Sequence, residues 1–250
     1  MSTTISTPEL ANGSLTRVRV GAVDGGRVRV QTEVAGPATA PALRPMLIAS
    51  DDRSARISLV PDGAMLLAGD HVTIEVEVGE GARLTLVEPA GTVAYDMDGG
   101  HASWSVRITL AAGAGLVWAG EPFVVSAGAD VTRDTRVTLA HGARLALRET
   151  LVLGRHGERP GRASTTWEAY DHDGRPFLVE SLDLDADSLA PGLLGPHRVL
   201  ASVTALGCEV PPDACPDGRL DLEHGGTLWR HLASQTHEIP EHPWECARTG

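Results

Sequence analysis

Glu149 stands where a carboxylate is least at home. Residues 143 to 153 alternate as a strand does, and one face reads Ala143, Leu145, Leu147, Glu149, Leu151, Leu153. Successive strand side chains point to opposite faces, so Glu149 shares its face with the leucines. A buried carboxylate without compensation costs several kcal/mol, so it requires a partner, a proton or a wet passage. Asp70 has the parity of Val72, Ile74, Val76 and Val78, and Glu88 that of Leu84 and Leu86. Three inward carboxylates predict an acidic line through the interior. The competing reading pairs each with an arginine such as Arg83, Arg148 or Arg155.

Other reactive side chains form weaker patterns. His231, His237, His242 and Cys246 follow one another with five, four and three residues between them. A closed zinc site favours tighter, paired spacing, so exposed tail histidines are the expectation. Arg155, His156 and Glu158 lie in a Gly-rich loop that suits either a partner or solvent. The chain has no Gly-x-Ser-x-Gly elbow, Walker loop, His-Glu-x-x-His or dinucleotide fingerprint. Paired carboxylates also serve glycoside hydrolysis, but two Phe and two Tyr are few for a sugar-stacking site.

A net charge of −12 argues against nucleic-acid binding and is compatible with handling a cation. No apolar run of membrane-spanning length appears, and no secretory leader. Three cysteines, an odd number without Cys-x-x-Cys, fit a reducing cytosol.

The elements that must position these groups repeat. An alternating strand, a small-residue turn carrying Gly-Ala or Ala-Gly, and a second alternating strand occur at 71–86, 104–118 and 132–147. A period of about 30 residues is in the range of stacked supersecondary units. The fold expected is mainly β, with stacked sheets of solenoid-like or β-helix-like character built from repeated hairpins and a few short helices. Residues 1–12 read as a flexible leader, 13–235 as one β domain and 236–250 as an extended tail. Asp24-Gly25-Gly26 marks a hairpin turn between strands in 15–34, and 46–60 a strand pair. Strands are expected at 164–170, 176–184 and 198–206, with a short helix or 3₁₀ turn in 188–194 and an amphipathic helix over 226–235.

Three stretches, in order, resemble the urease accessory protein family UreD (UreH). They are Leu67-Ala-Gly-Asp70, Leu84-Thr-Leu-Val-Glu-Pro-Ala-Gly-Thr-Val-Ala-Tyr95 and Gly142-Ala-Arg-Leu-Ala-Leu-Arg-Glu-Thr-Leu-Val-Leu-Gly-Arg155. Trp118-Ala-Gly-Glu-Pro-Phe123 and Leu194-Gly195 also fall in order, so the likeness covers about residues 15–235. Ala68, Glu88, Gly91 and Ala94 depart from the family pattern, and the C-terminal region is shorter than usual.

The resemblance implies a non-enzymatic cytoplasmic chaperone that binds UreF, which carries the GTPase UreG, and that meets apo-urease. It implies Ni²⁺ in transit along an internal path, with no intrinsic cofactor. By position, Asp70 and Glu149 match the family's acidic residues on that path, with Glu88 and Glu158 as further candidates; Arg155 and Trp229 are assigned to partner contact. A carboxylate-pair glycoside hydrolase on a β solenoid, or an interaction module without a metal role, are the alternatives.

Overall fold

The computed structural model describes residues 13–21, 26–208, 210–211 and 215–249. The leader and the Asp24-Gly25 part of the first turn lie outside them. In chain order the strands are β1 (Gly13–Gly21), β2 (Arg29–Ala35), β3 (Ala42–Ser50), β4 (Ser54–Asp62), β5 (His71–Val78), β6 (Arg83–Val87), β7 (Thr92–Ala94), β8 (Ala102–Leu110) and β9 (Gly115–Ala119). They continue as β10 (Phe123–Val125), β11 (Asp130–Leu139), β12 (Arg144–Leu153), β13 (Arg162–Asp171), β14 (Pro176–Leu184), β15 (Val199–Leu206), β16 (Arg219–Asp221) and β17 (Thr227–Ala233). Helix α1 is His242–Thr249, and 3₁₀ turns occupy Asp187–Leu189 and Thr236–Glu238.

Two sheets face each other across the core. The first runs β14-β13-β11-β8-β5-β1-β2 and the second β16-β17-β15-β12-β9-β6-β4-β3, with β10 paired to β12 and β7 to β10. Strands β1, β5, β8, β11 and β13 are parallel neighbours in one sheet, and β4, β6, β9 and β12 in the other. Antiparallel strands close both ends. The result is a solenoid-like stack of about four turns.

Within each repeat the two strands do not pair as a hairpin. β5 lies in the first sheet and β6 in the second, and the same holds for β8 with β9 and β11 with β12. The Gly-Ala turn is an arch between sheets. Gly81, Gly113 and Gly142 have φ of +63°, +64° and +69°, a region that glycine enters without steric cost. The arches stack: Gly81 N–H donates to the Ala112 carbonyl and Gly113 N–H to that of His141, both at 3.0 Å.

Parallel in-register stacking sorts inward side chains into columns. Ile74, Val106, Thr135 and Trp167 form one in the first sheet; Leu86, Trp118 and Leu147 form one in the second. Most are almost fully buried, and each large apolar side chain contributes about 1.5–3 kcal/mol. A second, smaller core lies on the outer face of the second sheet, where Trp229, Val203 and Ala146 pack against Trp244 and Ala247 of α1.

Two C-terminal expectations are corrected. Residues 227–233 are strand β17, because Leu228 and Trp229 bury opposite faces, Leu228 lining a cavity between the sheets and Trp229 packing in the outer core. The segment after 241 is helical, since Trp244 and Ala247 find a sheet face to cover. Among the described residues no helix is long and apolar enough to cross a membrane.

Candidate functional site: two charged chambers between the sheets

Glu149 points between the sheets, as its parity requires. Its Oε2 accepts the Trp167 indole N–H at 2.9 Å, and its Oε1 accepts from Arg133 Nη2 at 3.2 Å. Arg133 reaches it from β11, where Val131, Arg133, Thr135, Val137 and Leu139 share the inward face. The guanidinium lies 4.6 Å from the Phe123 ring centre, and its buried Nε has no hydrogen-bond partner. Arg133 is thus held by one ionic hydrogen bond and a ring face, a weak grip for a buried cation.

Glu88 is likewise held by an indole. It accepts the Trp118 indole N–H at 2.8 Å and the Glu121 backbone N–H at 3.0 Å. Burial pushes its carboxyl above the ordinary range, although both hydrogen bonds pull the other way. Val87, Ala119 and Arg148 are in register, and the residues that follow them, Glu88, Gly120 and Glu149, line one chamber. Gly120 stands between the two acids and supplies no side chain. A Cβ there would lie 2.5 Å from the Arg148 carbonyl oxygen.

Two cavities lie beside these residues. One, of about 40 Å³, is lined by Glu88, Gly120, Glu121, Arg133, Thr135 and Glu149, among others. The other, about 60 Å³, shares Arg133, Thr135 and Glu149 and extends to Glu180 and Arg230. Arg133, Thr135 and Glu149 therefore form the partition between neighbouring chambers, each with room for a few waters. At the outer end Arg230 Nη2 donates to Glu180 Oε2 at 2.8 Å, and each side chain is about a quarter exposed. Acids and arginines alternate across the two chambers: Glu88, Arg133 with Glu149, then Glu180 with Arg230. Chambers of this volume have room for waters or a small ion.

The other anticipated residues lie elsewhere. Asp70 does not join the line; its carboxylate accepts the Leu67 N–H at 2.6 Å and closes the turn before β5. Its parity with Val72 fails because the extended backbone begins at His71. Glu158 organises the Gly-rich loop, accepting the Arg155 and Ala127 N–H groups and pairing with the Arg155 guanidinium at 2.9 Å; these contacts hold its carboxyl below the usual range. Arg155 is exposed, as partner contact asks, but Trp229 is not. It is completely buried, its indole donating to the Cys215 carbonyl at 2.8 Å, so the partner-contact assignment of Trp229 is corrected to a core role. His231 is half-buried, and burial holds its imidazole below the ordinary value.

Outside the chambers, Thr132, His101 and Asp130 form a hydrogen-bonded chain with both steps at 3.2 Å. It lies on the exposed side of the first sheet and lines neither chamber.

Fold and site together define a class: a β-solenoid-like scaffold with two adjoining charged chambers between its sheets. Comparison with known proteins makes this specific. Residues 13–239 match the family of the UreD urease accessory protein, and the chain belongs to that family. It is 51% identical over 194 residues to urease accessory protein UreD 1 of Streptomyces griseus, covering 77% of this chain and 74% of that one. It is 39% identical over 186 residues to UreD 1 of Saccharopolyspora erythraea, covering 71% and 72%. With UreD of Rhodopseudomonas palustris the identity is 31% over 230 residues, covering 87% and 80%.

Proposed function

We propose that this protein is a non-catalytic, cytosolic scaffold of urease maturation that bridges UreF and UreG to apo-urease and passes Ni²⁺ through the two charged chambers. The observation that carries this reading is the pair of adjoining chambers partitioned by Arg133 and Glu149, with Glu88 behind them and Glu180 ahead. Ni²⁺ accepts carboxylate and water ligands, and a site richer in nitrogen or sulfur holds it longer. Single carboxylates spaced along a wet path attract the ion and release it. Arg133 opposes entry while paired to Glu149; its unpartnered Nε and single ionic bond make it the group that moves. Asp70 and Glu158 fall outside this path.

The test is urease activation in cells carrying Glu149→Gln, Glu88→Gln or both. Nickel content of the purified urease is expected to fall while the variants still co-purify with UreF and UreG. Wild-type nickel loading in the double variant refutes the path. A second reading takes the Arg133–Glu149 pair as a lock on the fold with no metal role. It predicts variants with lowered stability and undiminished nickel loading per assembled complex.

A further inference from the structure

Cys215, His242 and Cys246 converge on the outer face of the second sheet, away from the chambers. One ligand atom from each lies within 4.8 Å of the others. Cys215 Sγ is 3.4 Å from Cys246 Sγ, and Cys246 Sγ is 4.0 Å from His242 Nδ1. In a tetrahedral zinc site with Zn–S bonds of about 2.3 Å, two sulfurs lie about 3.8 Å apart. The three atoms are therefore within a small side-chain adjustment of one face of such a tetrahedron.

The scaffold fixes two different elements there. His242 and Cys246 are four apart on α1 and so share a helix face. Trp244 and Ala247 anchor that helix to the sheet, while Arg148 lies 5.4 Å from the Trp244 ring centre and pairs with Glu241. Cys215 is held from the other side. Its carbonyl accepts the buried Trp229 indole N–H, and its φ of +53° is a conformation few non-glycine residues adopt.

We infer that Cys215, His242 and Cys246 form a structural site for a thiophilic divalent cation, Zn²⁺, which clasps the C-terminal helix to the segment entering β16. Both S–H bonds break and two Zn–S bonds form, with the imidazole as third ligand and two protons released to buffer. Glu245, whose Oε2 lies 3.9 Å from His242 Nδ1, or water takes the fourth position.

The experiment uses the full chain, stripped of metal and kept reduced, titrated with Co²⁺ and then Zn²⁺. One equivalent of Co²⁺ is expected to give the visible absorption of tetrahedral thiolate coordination, and Zn²⁺ to abolish it. Cys246→Ser is expected to remove the signal, and His242→Ala to weaken binding by at least about tenfold. Both changes are on the half-exposed helix, so circular dichroism checks that the β fold persists. Bound Zn²⁺ is also expected to slow proteolysis after Pro240. Absence of the cobalt spectrum in folded, reduced protein overturns the site. So does an unchanged spectrum in Cys246→Ser, or a pair isolated only as a disulfide that takes up no metal after reduction.

Discussion

Replacing Arg133 by Met isolates the contact that partitions the chambers. Methionine keeps an apolar stem beside Phe123 and removes the guanidinium. At 3.2 Å, and with an effective dielectric of about 20, the Coulomb attraction to Glu149 is about 5 kcal/mol. Most of that offsets the desolvation of both ions. Removing one partner of a fully buried pair costs about 3–5 kcal/mol, because the other charge is left without compensation. Here the side chains are 15% and 21% exposed, and Glu149 keeps the Trp167 indole, so the loss expected is about 2–3 kcal/mol. For a chain of this size that lowers Tm by roughly 4–12 °C. Adding Glu149→Gln to Arg133→Met removes the stranded charge and is expected to restore about 1–2 kcal/mol of the loss. Urea unfolding of wild type, both single variants and the double variant closes the cycle. A loss below about 0.5 kcal/mol in Arg133→Met, or effects that simply add, refutes the coupling of these two groups across the sheets.

Gly120→Ala places a Cβ 2.5 Å from the Arg148 carbonyl and is expected to destabilise by about 1–3 kcal/mol, read by denaturant midpoint. Trp229→Ala empties a fully buried site and frees the Cys215 carbonyl; a loss of about 3–5 kcal/mol is expected by the same measurement. Glu88 has a raised folded-state pKa, so the native state holds its proton more tightly than the unfolded chain. Its contribution is therefore greatest at acid pH and declines as pH rises through the folded value. Stability of wild type relative to Glu88→Gln is expected to fall as pH rises above the ordinary glutamate value of about 4.3; a flat difference across that range contradicts the burial of this carboxyl.

Alternation alone determined a good deal. It placed Glu149 and Glu88 on inward faces because a strand has a period of two and the repeats keep their register. It identified the stacked β architecture because Gly-Ala turns recur where the chain must cross from one sheet to the other. The same alternation marks Arg133 between Val131 and Thr135, and Glu180 between Leu178 and Leu182. Local pattern loses its force where extended backbone ends, which is why Asp70 turns to its own loop. Tertiary structure decided which inward charges meet. Arg133 and Glu149 come from opposite sheets. It also brought Cys215 to a helix that begins 27 residues later, and buried Trp229 beneath that helix. Contacts between distant segments depend on how sheets and helices pack, and no spacing along the chain encodes them.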